Sequence, residues 1–351
     1  MLRVKTIDAH AGGEPLRLIV EGFPSPRGNT MLEKREWVRR HADHLRRALM
    51  LEPRGHADMY GAVLTEPVLP GSHAGVLFMH NEGYSTMCGH GIVAVTTIAL
   101  ERGLLLPGGD GTTVVYDAPA GTIRARATLR SSFDTLGMSE PEDPPALSSS
   151  QGELRVESVA FVNVPSFVLH GGMIVKLATR QVRADVAFGG AFYAIVDSES
   201  AGLPIVASRL PELRALGMAI AREVERLRVV VHPLDPGLSG IYGTIFTGPP
   251  QGEADLRNVT VFADAEVDRS PCGTGTAAVM AVLSEMGVLT DDLPFVHESI
   301  VGTTFTGRLA GRTKVGEREA IVPSIEGSAW VTGEHAFHID GDDPLKSGFR
   351  L

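Results

Sequence analysis

The chain has 351 residues, 43 % hydrophobic and 21 % charged, the composition of an ordered globular protein rather than a disordered one. Lys+Arg 32 against Asp+Glu 42 leave a formal charge of −10, which argues against nucleic acid or an anionic membrane as partner, since both call for a basic face. Two cysteines, Cys88 and Cys272, are far too few for a disulfide-stapled scaffold.

The first twenty residues lack the apolar core and small-residue cleavage site of a signal peptide. No stretch approaches the roughly 18 apolar residues of a membrane span. A cytoplasmic, reducing compartment is therefore expected, with both thiols free. Forty glycines, about 11 % of the chain, imply many tight turns between short strands and backbone amides available as ligands.

In chain order, Val4 to Ile7 and Leu16 to Val20 read as strands, β-branched or apolar and bounded by Gly or Pro. Met31 to Leu51 reads as one helix, with Trp37, Val38, His41, Leu45 and Leu49 at helical spacing and a Thr30/Glu33 capping box at its start. Ala74 to Met79 and Thr113 to Tyr116 read as further strands. The Pro-, Ser- and acid-rich segment 141–154 reads as a linker or surface loop, and Leu210 to Arg228 as a second amphipathic helix.

The length suggests two domains, and an internal repeat supports this. Thr86 to Leu105 (TMCGHGIVAVTTIALERGLL) aligns without gaps on Ser270 to Leu289 (SPCGTGTAAVMAVLSEMGVL), at an offset of 184 residues and with eight of twenty positions identical. Upstream, DMYGAVLTEP from Asp58 echoes GIYGTIFTGP from Gly240 at an offset of 182. Two echoes in the same order imply two homologous halves, with one cysteine at the same place in each.

Each repeat is Cys-Gly-x-Gly followed by small and apolar residues. A Gly-rich turn feeding a helix that is apolar all round indicates a central, buried helix. The cysteine then lies at the helix N-terminus, where free amides and the positive dipole end favour an anion and lower a thiol pKa. The same amides can hold a substrate carboxylate. Two such segments facing each other place a thiol on either side of one small molecule, the layout of a two-base racemase. One thiolate removes the Cα proton and the opposite thiol returns a proton to the other face. This scheme calls for neither metal nor pyridoxal cofactor, provided preorganised donors hold the carboxylate.

Other readings of these residues are a pair of small buried hydrophobes and a Cys88–Cys272 disulfide. Matched Gly-rich contexts weigh against the first and a reducing compartment against the second. Neither GxG completes the G-x-G-x-x-G of a dinucleotide loop. His41, His44, His56 and Asp58 could be imagined as a metal site, but Arg39, Arg40, Arg46 and Arg47 crowd the same segment and would repel a cation. There is no G-x-S-x-G elbow, P-loop or HExxH.

The motifs MCGHG (Met87 to Gly91), DRSPCGTG (Asp268 to Gly275), HAGGEPLR (His10 to Arg17) and EPRGHADMYGA (Glu52 to Ala62) resemble those of the proline racemase family, whose members include proline racemase, 4-hydroxyproline 2-epimerase and trans-3-hydroxy-L-proline dehydratase. The resemblance runs to DDPLKSGF near the C-terminus. It implies an α/β fold of two pseudo-symmetric domains resembling diaminopimelate epimerase, each a strand-rich sheet or barrel wrapped around a central helix. The halves expected are residues 1–165 plus about 335–351, carrying Cys88, and 166–334, carrying Cys272, with the active site in the cleft between them. It implies a cofactor-independent homodimer acting on proline or a hydroxyproline. By resemblance Cys88 and Cys272 match the catalytic pair. Gly89, His90, Gly273 and Thr274 match positions that bind the substrate carboxylate, and Asp268 matches the acid that pairs with the ring amine. For His90 a structural histidine beside the turn, and for Asp268 a turn or cap residue, are the alternatives.

Within the family, the segments EPRGHADMYGA and HNEGYSTMCGHG look most like the dehydratase branch, which carries threonine where this chain has Cys272. Dehydration needs one base at Cα, whereas racemisation or epimerisation also needs a donor on the other face. The second cysteine therefore favours an isomerase, with a hydro-lyase as the alternative. A non-enzymatic amino-acid-binding protein is the alternative of a different class, and it would need neither thiol.

Overall fold

In the computed structural model, residues 1–107, 109, 111–130 and 154–350 are described. The first half of the chain begins with the hairpin β1 (Leu2–Ala11) and β2 (Glu14–Glu21), then α1 (Met31–His41) and α2 (Asp43–Met50). It continues through β3 (Tyr60–Thr65), β4 (Ala74–His80), α3 (Gly89–Glu101), β5 (Thr113–Ala118), β6 (Gly121–Leu129) and β7 (Val156–Val162). The second half runs β8 (Phe167–Lys176), β9 (Gln181–Phe188), β10 (Phe192–Asp197), α4 (Leu210–Leu227), β11 (Ile241–Gly248) and β12 (Leu256–Phe262). It ends with β13 (Glu266–Asp268), α5 (Gly273–Glu285), β14 (Phe295–Glu298), β15 (Thr304–Val315), β16 (Arg318–Gly327) and β17 (Ala329–Ile339).

The strand pairings repeat. In the first set β1–β2 is antiparallel, β2–β3 parallel, β3–β4 antiparallel, β4–β5 parallel, and β5–β6–β7 antiparallel. The second set follows the same sequence of directions through β9, β10, β11, β12, β14, β15 and β16. A flanking strand completes each, β17 on β1 and β8 on β9, and the β7–β16 pair joins the two. The fold is thus α/β with two pseudo-symmetric, strand-rich halves.

A helix fills each half. α3 packs against β1, β2, β6, β7 and β17, and α5 against their counterparts β9, β10, β15, β16 and β8. Because strands surround them, both helices are buried on every side, from Gly89 to Leu100 and from Gly273 to Val282. Small and β-branched residues suit such a cage better than an amphipathic stripe.

The expected strands are present, each longer than the apolar run that signalled it. α4 matches its expected span to within a residue and buries Leu213, Leu216, Ile220 and Val224 along one face. The single helix expected over 31–51 is instead two. The capping box on Thr30 and Glu33 opens α1, but Ala42 leaves helical geometry (φ −128°, ψ 10°) and α2 starts again at Asp43. The break turns Arg46 inward, where it donates to the carbonyls of His80 (2.9 Å) and Asn81. His41, which shares the apparent apolar stripe, is exposed and stacks on Trp37. Most of the expected 141–154 linker lies outside the described residues. Among those described, no helix is long and apolar enough to cross a membrane.

α3 and α5 meet end to end. A Cβ built on Gly273 would lie 2.6 Å from Gly89 Cα, closer than real Cβ atoms approach, and a tight 3.1 Å from Phe161 Cζ. Gly273→Ala therefore has to force the helix termini apart, at a cost on the order of 1–3 kcal/mol. A thermal melt should show a lower Tm than wild type, and an unchanged Tm would show that the two termini have room to separate.

Candidate active site

The helix termini carry the two cysteines. Cys88 is the N-cap of α3 and Cys272 the N-cap of α5, and each sulfur accepts the amide of the residue three positions on, Gly91 at 3.2 Å and Gly275 at 3.3 Å. The second glycine of each Cys-Gly-x-Gly makes this possible. A Cβ on Gly91 would lie 2.9 Å from Cys88 Sγ, and one on Gly275 3.0 Å from Cys272 Sγ. The first glycine lets the termini touch. Helix geometry leaves the amides of Gly89, His90, Gly273 and Thr274 without intrahelical acceptors, so four free donors and two positive dipole ends converge. Both thiols are free and buried. Cys272 holds φ +60°, a left-handed conformation uncommon for a non-glycine residue and one that clusters at functional sites.

All seven residues singled out from the sequence gather here, and each except Gly273 lines a single cavity. That cavity has about 10 Å³ open to the centre of a water molecule, on the order of one water. His90 lies beside Cys88, its Nδ1 3.3 Å from Sγ, and reaches toward Asp268 Oδ2 at 3.7 Å. Thr274 occupies the matching place beside Cys272, its Oγ1 3.7 Å from Sγ. Asp268 closes β13, and its Oδ1 accepts both the amide (2.8 Å) and the hydroxyl (2.7 Å) of Ser270.

Several lining residues escaped the sequence reading. Tyr193 on β10 shares a hydrogen bond with Thr274 Oγ1 (2.6 Å) and lies 3.7 Å from Cys272 Sγ. Tyr60 and Tyr242 bond to each other (3.1 Å) and to Ser85, one from each half. A signal for this last pair was present, because Tyr60 and Tyr242 are the shared tyrosines of the upstream echo. Thr260 and Phe262, on β12, complete the wall.

Ion pairs between the halves flank the cavity. Arg214 of α4 grips Asp58 (2.6 Å), so the aspartate considered for a metal is an arginine acceptor. Arg269, next to Asp268, donates its amide (2.7 Å) and guanidinium (3.3 Å) to Glu14. Burial and the neighbouring Asp268 push the Glu14 carboxyl well above the ordinary carboxylate range. His80 lies 3.3 Å from Glu266 behind the tyrosines. No cluster of three or more His, Cys, Asp or Glu side chains positioned for a metal occurs among the described residues.

The helix-terminus position led to an expectation of acidic thiols, and the structure reverses it. Burial raises Cys88 well above the ordinary thiol value, and it pushes Cys272 up to about 12. The Asp268 carboxylate is the second cause for both, and the Gly91 and Gly275 amides only partly offset it. A thiol caged by strands loses more from desolvation than one helix dipole returns.

Two pseudo-symmetric halves, each presenting a helix N-terminus and a thiol to one shared cavity, define a two-domain α/β enzyme fold. The chain belongs to the proline racemase family, whose sequence model matches residues 6–137 and 146–350. It is 46 % identical over 347 residues to a trans-3-hydroxy-L-proline dehydratase of Bacillus thuringiensis, covering 99 % of this chain and 97 % of that protein. It is 41 % identical over 350 residues to a 3-hydroxyproline 2-epimerase of Burkholderia multivorans, covering 99 % and 98 %. A crystal structure of a hydroxyproline epimerase from Agrobacterium vitis with bound trans-4-hydroxy-L-proline superposes with a TM-score of 0.88 at 29 % identity, covering 100 % of this chain and 95 % of that one.

The effect of Asp268 on the thiols can be measured. Asp268→Asn keeps an acceptor for Ser270 but removes the negative charge, so thiolate becomes easier to form. Thiolate absorbance near 240 nm should rise at lower pH in the variant than in wild type. Coincident titration curves would show that the Asp268 charge does not reach the sulfurs.

Proposed function

We propose that this protein is a cofactor-independent isomerase that inverts Cα of proline or a hydroxyproline, using Cys88 and Cys272 as a thiolate/thiol pair in the cleft between the halves. The observation that carries the reading is the pair of thiols capping two helix N-termini that meet at one cavity. The substrate carboxylate takes the free amides of Gly89, His90, Gly273 and Thr274, where the dipole ends favour an anion. Its ring ammonium pairs with Asp268. That pairing removes the repulsion which Asp268 exerts on both sulfurs, so substrate binding itself eases thiolate formation. One thiolate then takes the Cα proton, and the amides hold the charge that develops on the carboxylate. The opposite thiol delivers its proton to the other face, and the two sulfurs exchange protonation states. With both free thiols starting high, kcat/KM should rise with pH from neutral into the alkaline range.

A second reading is dehydration of trans-3-hydroxy-L-proline, favoured by the 46 % identity to a dehydratase. It shares the first step. The Cα–H electrons then form a Cα=C3 double bond, the C3–O bond breaks, and the hydroxyl leaves as water after taking up a proton. The unsaturated ring becomes a cyclic imine that hydrolyses to a keto acid.

Incubation with L-proline, trans-4-hydroxy-L-proline and trans-3-hydroxy-L-proline in deuterated water, followed by NMR and chiral chromatography, separates the outcomes. Deuterium at Cα with inversion is expected. Cys88→Ser and Cys272→Ser should each lower that rate by at least about 100-fold. Dehydration that persists in Cys272→Ser, with no inversion by wild type, would replace the isomerase with the hydro-lyase. Neither Cα exchange nor dehydration on any of the three would leave a binding protein.

A further inference from the structure

The cavity holds one hydroxyl with no partner among the described residues. Thr260 is fully buried on β12, directly opposite Asp268 in the β12–β13 pairing. It lines the cavity together with Phe262, two positions on, as strand alternation requires. Its Oγ1 makes no hydrogen bond. The other side-chain hydroxyls of the wall are paired, Tyr60 and Tyr242 with each other and Ser85, and Tyr193 with Thr274. A buried hydroxyl left unpaired is costly, and valine would fill the same volume without that cost. The flanking positions of the strand, Val259 and Val261, are valines.

We propose that Thr260 Oγ1 hydrogen-bonds a hydroxyl on the substrate ring, and that it selects a hydroxylated imino acid over proline. The inference rests on the proposed Cα chemistry and assigns its ring specificity. With the carboxylate at the helix termini and the ring nitrogen at Asp268, the strand that pairs with Asp268 borders the ring edge. Proline leaves Thr260 orphaned, whereas a ring hydroxyl satisfies it. A site built around such a bond rejects the analogue that lacks it far better than an apolar wall discriminates a methylene.

The test is kcat/KM for Cα–H exchange in deuterated water on trans-3-hydroxy-L-proline, trans-4-hydroxy-L-proline and L-proline, for wild type, Thr260→Val and Thr260→Ser. Wild type should prefer one of the hydroxylated substrates, and which one places the hydroxyl on C3 or C4. Thr260→Val should reduce the ratio of that substrate to proline by about 10–100-fold. Thr260→Ser, which keeps the oxygen, should retain most of the preference. Equal losses on all three substrates in Thr260→Val would make Thr260 merely structural and overturn the proposal. So would loss of the preference in Thr260→Ser. A wild-type enzyme that handles L-proline as well as both hydroxyprolines overturns it whatever the variants do. Absence of both exchange and dehydration on every substrate removes the Cα chemistry and this inference together, while turnover with an unchanged ratio removes this inference alone.

Discussion

Gly89 and Gly273 touch backbone to backbone at the first turns of α3 and α5, leaving no room for a Cβ on either. Much of the site depends on that contact. It brings two positive helix ends to one point, an arrangement that is favourable only if something negative sits between them. It brings both capping thiols to the wall of one cavity. It also requires both helices to run through the middle of their halves, so each is caged by strands and built from small residues. The repeated Gly-Cys spacing and the repeated strand order are two views of one constraint.

The cage has an electrostatic consequence. A helix N-terminus stabilises a thiolate, but a site dry enough to strengthen such interactions also penalises the charge itself. Here desolvation is the larger effect and Asp268 adds to it, so both thiols rest protonated. Buried sulfurs held in this way are protected from adventitious ionisation. In low dielectric the charge of Asp268 weighs more on both sulfurs than it would in water.

The two halves are alike at the helix termini and different in the residues around them. Cys88 and Cys272, with the glycines around them, correspond. His90 stands opposite Thr274, however, and Asp268 corresponds to Tyr84 at the same offset. Cys88 has an extended backbone at φ −144°, whereas Cys272 is left-handed at φ +60°. Only the second half supplies the carboxylate, and Glu14 from the first half holds Arg269 beside it. The cavity is therefore asymmetric in charge although its helix termini are paired.

The sequence by itself determined the local features: two homologous halves, cysteines at helix N-termini, the strands, and the Thr30 cap. The halves are written in a repeat at an offset of 184 residues, and the others in residues a few positions apart, where periodicity, capping and the needs of glycine turns act. The same short range explains the difference at 31–51, since an apolar stripe does not reveal that the helix breaks at Ala42 and that Arg46 then donates to the carbonyls of His80 and Asn81. Only the tertiary structure decided the rest. Tyr193 reaches Cys272 across 79 residues, and Glu14 reaches Arg269 across 255, contacts between unlike residues that the internal repeat does not relate. The raised thiols belong to this second group. A helix end is visible in sequence, but the burial that overrides its dipole exists only once both rings of strands have closed around it.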